Sequence, residues 1–439
     1  MSFPRYPNYK PSGVEWLGEV PEHWDVLRGS LIGTLFGSEQ VPEESVRDEG
    51  DLPFIKVGSM SLDSFAIESW DWFVDRAVAG QYRVRSGYVV FPKRGAAIFS
   101  NKVNIVERPS LIDPNLMGWT IGERATPKFV AYALKCRKLD ELADVSTVPQ
   151  INNKHIAPER FPVPPRDEQL AIATFLDRET AKIDALVAEQ QRLIELLKEK
   201  RQSVISHAVT KGLDPTVPMK PSGIEWLGDI PAHWEIRRLK HIAPFIAVGI
   251  VVNPSTFIAD EGLPFIYGGD IREGVIDWVN ARRISESSSQ ENGKTKLRSG
   301  DLLTVRVGAP GVTAVVPPEC DGGNCASVML VRRGLFNSHW LCYLMNTRIV
   351  RFQVEVVQYG AAQEQFNIAH AVNFWMPTPP QAEQDKIVDY LESETAKFDT
   401  LTADAERAIE LLQERRTALI SAAVTGQIDV RQLAQGVAA

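Results

Sequence analysis

The strongest constraint on the fold is that one segment of this sequence occurs twice. Residues 11–26 read Pro-Ser-Gly-Val-Glu-Trp-Leu-Gly-Glu-Val-Pro-Glu-His-Trp-Asp-Val, and residues 221–236 are identical to them at ten of the sixteen positions. Five of the other six positions exchange only Val for Ile or Asp for Glu. Counted from Pro11 to Pro221, the copies begin 210 residues apart, which is too long a period for a solenoid repeat. The chain is therefore predicted to contain two copies of a whole domain.

A second repeated block follows each copy of the first. Glu168-Gln169 and Glu179-Thr180-Ala181-Lys182 reappear as Glu383-Gln384 and Glu394-Thr395-Ala396-Lys397. The order along the chain is thus motif, variable block and helix, followed by the same three again. Two like units in one chain predict a pseudo-symmetric protein that binds its partner with two halves.

The composition is that of a soluble globular protein, with 439 residues, 44% of them hydrophobic and 24% charged. The four cysteines have no Cys-x-x-Cys pairing, so neither a zinc site nor a disulfide framework is expected. The first residues show no signal peptide, and the longest apolar run, residues 242–252, is too short to span a bilayer. We therefore expect a protein of the reducing cytoplasm that does not insert into a membrane.

The formal net charge of −8 argues mildly against nucleic acid as a partner. The charge is unevenly distributed, however, because residues 39–51 carry six acidic side chains and one basic one, whereas residues 76–106 carry six basic side chains and no acidic one. Salt confines the field of a charge to about 10 Å, so a polyanion responds to the local surface. DNA binding is therefore not excluded.

The variable blocks, residues 27–163 and 237–378, read as short β-rich runs interrupted by Gly and Pro. Both contain Leu-Pro-Phe-Ile, at residues 52–55 and 263–266. Each also has two glycines eight residues apart, which allow the same turn, strand and second turn: Gly87 with Gly95, and Gly300 with Gly308. One fold with two different surfaces is the prediction.

Helices are predicted at the end of each block and after it. The first two cover residues 127–142 and 338–357. Proline-rich segments then end the blocks, and Asp167, Glu168 and Glu383 put negative charge where the dipole of a following helix favours it. Beyond these points, mainly apolar residues at alternating steps of three and four predict one seam along each of two long helices, and the seams are predicted to face each other. The seam residues are Ile183, Leu186, Gln190, Leu193, Leu197, Lys200 and Val204, and Phe398, Leu401, Ala405, Ala408, Leu412, Arg415 and Leu419. Gln190, Lys200 and Arg415 interrupt the apolar seam.

These elements predict an α+β fold of two similar β-rich domains with helices, separated by a pair of long antiparallel coiled-coil helices and related by a pseudo-twofold axis. A helix over residues 168–210 would span roughly 65 Å. Paired DNA-reading modules meet half-sites about 34 Å apart, so the helix pair is predicted to act as a ruler. The predicted domains are residues 1–163 and 214–378, and the predicted spacer helices, the second with a C-terminal tail, are residues 164–213 and 379–439.

Enzyme signatures are scarce in this sequence. It has no Asn/Asp-Pro-Pro-aromatic motif of DNA amino-methyltransferases, no phosphate-binding Gly-x-x-x-x-Gly-Lys-Ser/Thr loop, no Gly-x-Gly-x-x-Gly, no His-Glu-x-x-His and no Gly-x-Ser-x-Gly. We therefore expect a non-catalytic chain. Two alternatives stay open: a self-contained DNA methyltransferase or nuclease, and a coiled-coil adaptor whose two variable domains bind protein.

Four tryptophans of the repeated motif have two interpretations. They could stack on bases, as aromatic side chains do in single-strand binders. They could instead be packing anchors at the domain junctions. The second interpretation is favoured, because identical residues in both copies cannot read two different sequences. The residues are Trp16, Trp24, Trp226 and Trp234.

The candidate DNA-contacting residues are mostly cations and carboxamides at turns and strand ends. Lys and Arg neutralise phosphates, Arg also forks onto guanine, and Asn and Gln suit adenine. The cations could equally form a solvated β surface, and the carboxamides could serve turns and helix starts. The sharpest prediction is the turn where Lys93 aligns with Arg306. The full set is Lys56, Arg83, Arg85, Lys93, Arg94, Lys102, Gln150, Asn152, Tyr267, Lys294, Lys296, Arg298, Arg306, Gln365 and Asn367.

The sequence resembles the specificity subunit of type I restriction-modification enzymes. The motif Pro-Ser-Gly-x-Glu-Trp-Leu-Gly-x-x-Pro-x-His-Trp is similar to one conserved signature of that family. The helix start Pro-Pro-x-x-Glu-Gln, leading through Glu-Thr-Ala-Lys to Val209-Thr210-Lys211-Gly212 and Val424-Thr425-Gly426, is similar to the other. The match covers nearly the whole chain, and both signatures occur twice in the expected order.

The resemblance implies a function, partners and a division of labour. Each variable block would be a target recognition domain that reads one half of a split double-stranded DNA target, and the paired helices would set the unread gap. Two modification subunits would carry S-adenosylmethionine and methylate adenine, and ATP-dependent translocating restriction subunits would join them. This chain itself would hold no cofactor.

Overall fold

The computed structural model describes residues 3–38, 40–144, 148–358 and 367–433. The chain divides into two compact units, the first made of Met1–Gln190 with Arg407–Ala439 and the second of Gln191–Glu406. Both points at which the chain passes from one unit to the other lie inside long helices. Within the described ranges, no helix is long and apolar enough to cross a membrane.

The strands are short in both units. Those of the first unit are β1 (Tyr9–Pro11), β2 (Glu19–Pro21), β3 (Asp25–Arg28), β4 (Gly33–Gly37), β5 (Leu52–Ile55), β6 (Phe73–Val74), β7 (Tyr88–Pro92), β8 (Asn104–Val106), β9 (Leu111–Ile112), β10 (Leu116–Ile121) and β11 (Arg160–Val163). Those of the second are β12 (Met219–Pro221), β13 (Asp229–Pro231), β14 (Glu235–Arg238), β15 (Ile246–Val248), β16 (Ile258–Ala259), β17 (Leu263–Ile266), β18 (Ile271–Arg272), β19 (Val275–Ile276), β20 (Arg282–Ile284), β21 (Leu302–Thr304), β22 (Thr313–Val315), β23 (Asn324–Cys325), β24 (Met329–Val331) and β25 (Trp375–Thr378).

Two helices are far longer than the rest. The helices are α1 (Gly29–Ile32), α2 (Arg76–Ala79), α3 (Pro127–Arg137), α4 (Leu139–Leu142), α5 (Asn153–Ile156), α6 (Arg166–Lys211), α7 (Leu239–Ile242), α8 (Glu286–Glu291), α9 (Ser338–Met345), α10 (Arg348–Gln358), α11 (Ile368–Ala371) and α12 (Gln381–Val424).

The sheets have matching strand orders in the two units. The main sheet runs β4-β10-β7-β8 in the first unit and β15-β24-β21-β22 in the second, with antiparallel neighbours throughout. A second sheet contains β6-β5-β9 in the first unit and β20-β17-β23 in the second, and its last pair is parallel in both. The prediction of one fold in both blocks is confirmed.

Glycines lie at both ends of the strand that aligns between the two variable blocks. Gly87 and Gly95 flank β7 with φ values of +68° and +75°, and Gly300 and Gly308 flank β21 with +85° and +88°. Residues with a Cβ atom rarely adopt such positive φ values, so glycine is needed at all four turns. The predicted order of turn, strand and second turn is therefore confirmed in both units.

Each predicted helix within a block is broken into two. In the first unit the break falls at Lys138, whose φ is +60°. The Asn101 amide donates to the carbonyl of Lys135 at 2.8 Å, and its oxygen accepts the N–H of Leu139 at 3.1 Å. In the second unit Asn346 bonds to both backbone groups of Thr313 between α9 and α10. The bonds of Asn101 take up helix backbone groups in the first unit, and the bonds of Asn346 tie the end of α9 to Thr313 in the second. Neither predicted helix is therefore continuous.

The long helices are antiparallel where they meet inside each unit. In the first unit the Arg416 guanidinium pairs with Asp184 at 3.2 Å, and in the second Arg201 pairs with Asp399 at 3.4 Å. Each unit thus contains the beginning of one long helix and the end of the other. The helix ends share hydrophobic cores with their blocks, through Ile172, Phe175, Leu176, Leu419 and Ile420 in the first unit and Ile205, Val209, Ile387, Val388 and Leu391 in the second.

The repeated motif docks where a long helix ends. Trp24 and Trp234 are fully buried, and Trp16 and Trp226 are half-buried against the same cores, so their predicted role as packing anchors is confirmed. Directly after α12, Gly426 has a φ of +76°, and a Cβ atom there would lie 2.3 Å from Cδ of Pro21. Only glycine fits such a close approach at a positive φ.

The two described chain ends meet in the first unit. The N–H of Asp429 donates to the carbonyl of Pro4 at 2.7 Å, and the Tyr9 hydroxyl donates to the carbonyl of Gly426 at 3.0 Å. In the second unit the corresponding connection is continuous chain, from Gly212 to β12.

A circular permutant is therefore expected to fold. Joining Ala439 to Met1 and opening the chain between Lys211 and Lys220 exchanges one connection for its structural equivalent. We expect soluble protein with a thermal midpoint within a few degrees of that of the original chain, measured by circular dichroism. An insoluble permutant, alongside soluble protein from the unpermuted chain expressed in parallel, would contradict the pairing of motif and helix end.

Candidate nucleic-acid interface

In the first unit, the turn after β7 has a fixed backbone and basic side chains. The N–H of Lys93 donates to the carbonyl of Asn115 at 2.8 Å, and its own carbonyl accepts the N–H of Ile151 at 2.9 Å. Arg94 is exposed and forms an isolated β-bridge with Gln150. The sequence-predicted residues Lys93, Arg94 and Gln150 are thus brought together.

Two more predicted cations lie near this turn, at the end of β4. Arg83 and Arg85 line a small cavity with Phe36, Gly37 and Ser38, and the Arg85 guanidinium lies 4.3 Å from the centre of the Phe36 ring. A Cβ atom on Gly37 would be 3.3 Å from the Lys93 ammonium, which places that cation at the same edge. Cations grouped at one edge are the kind of side chains that contact phosphates.

The buried residue Tyr88 lines the same small cavity. Tyr88 exchanges a hydrogen bond of 2.8 Å with Ser110, and burial raises the pKa of Tyr88 to about 12. The phenol is therefore neutral at physiological pH and adds no negative charge beside Arg85.

Other predicted residues of the first unit have backbone or fold contacts. The Lys102 ammonium donates to the carbonyl of Met60 at 2.6 Å, so it holds a loop in place. Gln150 also exchanges two backbone hydrogen bonds with Asp144. Asn152 is exposed at the start of α5. A DNA contact by these three residues stays a prediction.

The matched turn of the second unit has a different surface. Arg306, which aligns with Lys93, is only 9% exposed, and burial lowers the pKa of its guanidinium. Val307 is 56% exposed where Arg94 stands in the first unit. The two turns share a backbone and not a charge pattern, which is the divergence expected of surfaces that bind different sequences.

A basic loop of the second unit surrounds a buried ion pair. Asp301 is fully buried and pairs with Arg332, whose guanidinium also donates to the carbonyls of Lys294 and Lys296. The N–H of Arg298 donates to the same carboxylate at 2.9 Å. These hydrogen bonds fix the backbone of the loop, while the side chains of Lys294 and Arg298 are exposed.

The remaining predictions concern two carboxamides. Asn367 is the N-cap of α11, where its side-chain oxygen accepts the N–H of Ala369 at 3.1 Å. Gln365 lies outside the described residues. The turn-and-cap interpretation of the Gln-x-Asn motif therefore has direct support at Asn367.

Two residues that the sequence did not single out complete the surface, each in a cation–aromatic pair. The Lys56 ammonium lies 3.6 Å from the centre of the Trp72 ring, and the Arg282 guanidinium lies 4.4 Å from the centre of the Tyr267 ring. Trp72 and Arg282 are distant in sequence from their partners. Their roles depend on strand pairing, and no local signal predicts it.

No group of three or more His, Cys, Asp or Glu side chains in the described parts of the chain is placed to hold a metal ion. The buried carboxylates instead pair with tyrosine, tryptophan, histidine or arginine side chains, as at Glu168 and Asp301. What the described surface offers is cations, aromatic rings and fixed turns.

Comparison with known proteins identifies relatives along the whole chain. No family model matches the sequence. The chain is 26% identical to the type I restriction enzyme EcoBI specificity subunit of Escherichia coli, over 66% of this chain and 62% of that protein. It is 21% identical to the type I restriction enzyme MjaVIII specificity subunit of Methanocaldococcus jannaschii, over 94% of this chain and 95% of that protein.

The fold has a match among solved structures. A chain from a study of complex assembly and conformational transition of the type I R-M system superposes with a TM-score of 0.64 at 18% identity, over 92% of this chain and 98% of that chain. The predicted α+β architecture with long helices is confirmed by this likeness and by α6 itself. The predicted resemblance of this chain to the specificity subunits of type I restriction-modification enzymes is confirmed.

Proposed function

We propose that this chain is the sequence-specificity subunit of a type I restriction-modification complex, and that it reads a bipartite double-stranded DNA target with its two variable blocks. The observation that carries the proposal is the doubled construction. Both blocks have the same sheet order and the same glycine turns, yet the side chains at their matched turns differ. A shared backbone with divergent surface residues suits two readers of two different half-sites.

The chemistry of the complex is assigned to other polypeptides. The sequence has no methyltransferase or ATPase motif, so we propose that it is non-catalytic and binds no cofactor. Two modification subunits would bring S-adenosylmethionine and methylate adenine, and restriction subunits would cleave. The coiled-coil adaptor stays as the second hypothesis, because the same doubled construction could present two protein-binding surfaces.

The middle parts of the long helices offer a surface for such partners. Five leucines on α6 and α12 are between 41% and 49% exposed, although leucine is normally buried. Exposed apolar side chains grouped on a helix mark sites of protein association. We therefore propose that the modification subunits dock on these helix surfaces, through Leu186 and Leu411 in the first unit and through Leu193, Leu196 and Leu401 in the second.

The proposal is tested by reconstitution. The chain is co-expressed with modification subunits, and the purified complex is assayed for binding and adenine methylation on a library of duplexes. We expect methylation of two short half-sites separated by an unread gap of fixed length. Binding to protein partners without sequence-selective binding of duplex DNA would favour the adaptor, and binding of S-adenosylmethionine by the purified chain alone would favour a self-contained methyltransferase.

The basic edge of the first unit predicts a salt effect. Replacing Arg83, Lys93 and Arg94 with alanine should make the slope of log affinity against log salt less negative, by roughly one for each residue that meets a phosphate. Titration of a target duplex at several salt concentrations measures the slope. The control removes the same charge from α6, with Arg192, Lys198 and Lys200 replaced by alanine. An unchanged slope in the first variant, or equal changes in both, would place the DNA elsewhere.

A further inference from the structure

The identical segment Leu-Pro-Phe-Ile places one side chain at the same point of both units. It forms β5 in the first unit and β17 in the second, with the same burial along the strand. The next residue is Lys56 in one unit and Tyr267 in the other, with φ and ψ of −102° and 167°, and −109° and 169°. A short 3-10 turn follows in both. The backbone is thus the same to within a few degrees, and only the side chain differs.

The neighbouring strand also contributes an equivalent position. Trp72 lies opposite Phe54, because the N–H of Phe54 donates to its carbonyl at 2.8 Å. Arg282 lies opposite Phe265, the same residue of the identical segment, in the register of β17 and β20. Residues two apart on a strand point to one face, so the residue after the segment reaches its diagonal neighbour in each unit.

The two units therefore hold the same kind of pair with the partners exchanged. In the first unit the cation follows the segment and the ring stands on the neighbouring strand. In the second the ring follows the segment and the cation stands on the neighbouring strand. The distances from cation to ring centre are 3.6 Å and 4.4 Å, both within the range of attraction between a cation and a π system.

The ring is the platform in both pairs. The phenol oxygen of Tyr267 is buried, so it has no exposed surface with which to contact a base. It also has no hydrogen-bond partner among the described residues. Arg282 above it is exposed. Trp72 is 37% exposed and supports the half-buried Lys56. Stacking limits the rotamers of a long side chain, so less entropy is lost when the cation binds a ligand.

We infer that Lys56 on Trp72 and Arg282 on Tyr267 are equivalent specificity-determining pairs, in which the ring fixes the cation that contacts a base of each half-site. This inference rests on the proposed function. The diagonal neighbours are roughly 7 Å apart. Exchange of the partners therefore moves the anchor of the cation by about two base-pair steps of roughly 3.4 Å. One scaffold can in this way read a guanine at different places, since Lys and Arg both donate to its O6 and N7.

The test uses the complex with its modification subunits and a duplex library in which every base of both half-sites is varied. Lys56→Met removes the charge and keeps the stem, and we expect roughly a 10-fold loss of discrimination at one base pair of one half-site. Lys56→Arg keeps the cation and should retain the preference. The double variant Lys56→Tyr with Trp72→Arg installs the pair of the second unit, and should move the preferred base within that half-site. The base preferences in the other half-site should stay unchanged in all these variants.

Arg192→Met on α6 is the control, because it removes one exposed cation that pairs with Glu195 of the same helix. It should alter no base preference. The inference is overturned if Lys56→Met and the exchange variant assemble and methylate with every base preference intact. It is also overturned if Lys56→Met weakens all sequences equally and reduces the salt slope by about one, which is the behaviour of a phosphate contact. Absence of a bipartite preference in the unaltered complex would instead refute the proposed function.

Discussion

Replacing Glu168 with alanine is expected to destabilise the first unit by about 3 kcal/mol, the cost of leaving buried partners uncompensated. Glu168 is 6% exposed at the start of α6. Its carboxylate accepts hydrogen bonds from the Trp24 indole at 3.0 Å and from the Tyr6 hydroxyl, and it pairs with His23 at 2.8 Å. Burial, and next the bond to Glu168, raise the pKa of Tyr6 well above its usual range, so the phenol stays a donor. Removing the carboxylate leaves the Trp24 and Tyr6 donors buried without this acceptor, whereas the exposed His23 side chain can bind water.

The matched control is Glu383→Ala in the second unit. The Glu383 side chain is 26% exposed and pairs with His233 at 2.7 Å. The Trp234 indole has no acceptor there in the described structure, so nothing is lost at that position. We expect a loss below about 1 kcal/mol, as for other partly solvated ion pairs.

Hydrogen exchange measures both variants, because it reports the opening of each unit separately. Amides of the first unit should exchange faster in Glu168→Ala, and those of the second unit should change little in Glu383→Ala. A loss of protection in Glu383→Ala equal to or greater than that in Glu168→Ala would contradict the asymmetry of the two junctions.

Lengthening both long helices by four residues is expected to change which DNA the complex accepts. The insertion points are after Gln190 and after Glu406, where the chain passes between the units. Four helical residues add roughly 6 Å, which corresponds to about two base pairs at roughly 3.4 Å each. Methylation should therefore be lost on the original target and regained on one whose gap is about two base pairs longer, with both half-sites unchanged.

A variant in which four residues of each helix are replaced without a change of length is the control for this experiment. It should keep the original gap. If the lengthened chain assembles and still prefers the original gap, the long helices do not set the spacing and the predicted ruler is wrong.

The parts of the fold that depend on local pattern were predictable from the sequence. The long helix starts at Arg166, and the preceding proline pair and the acidic first turn are the local signals that predict a helix start at this point. The turns around β7 and β21 follow from their glycines. Repetition added what one copy could not show, namely that both blocks have one fold.

Features that depend on distant contacts were not predictable. The break at Lys138 needs Asn101, which lies 34 residues before the bonded Lys135 carbonyl. The predicted seam is only partly buried, since Leu186 and Leu401 stay 44% and 49% exposed in the middle of the helices, away from the blocks whose packing buries their ends.

The candidate site shows the same limit. Arg306 and Lys93 align in sequence, yet only Arg306 is buried, because burial depends on the packing around the turn. The exchange of cation and ring between the units became visible only once strand register was known. Local sequence patterns thus predicted which segments contribute to the candidate surface. The pairing of strands in three dimensions determines which side chains are exposed on it.

The most direct measurement is a map of adenine methylation across the genome of a host that expresses this chain with its modification subunits. We predict one motif made of two short half-sites with a gap of constant length, which disappears when this chain is omitted. A contiguous motif, or methylation that persists without this chain, would contradict the reading of a split target by its two blocks.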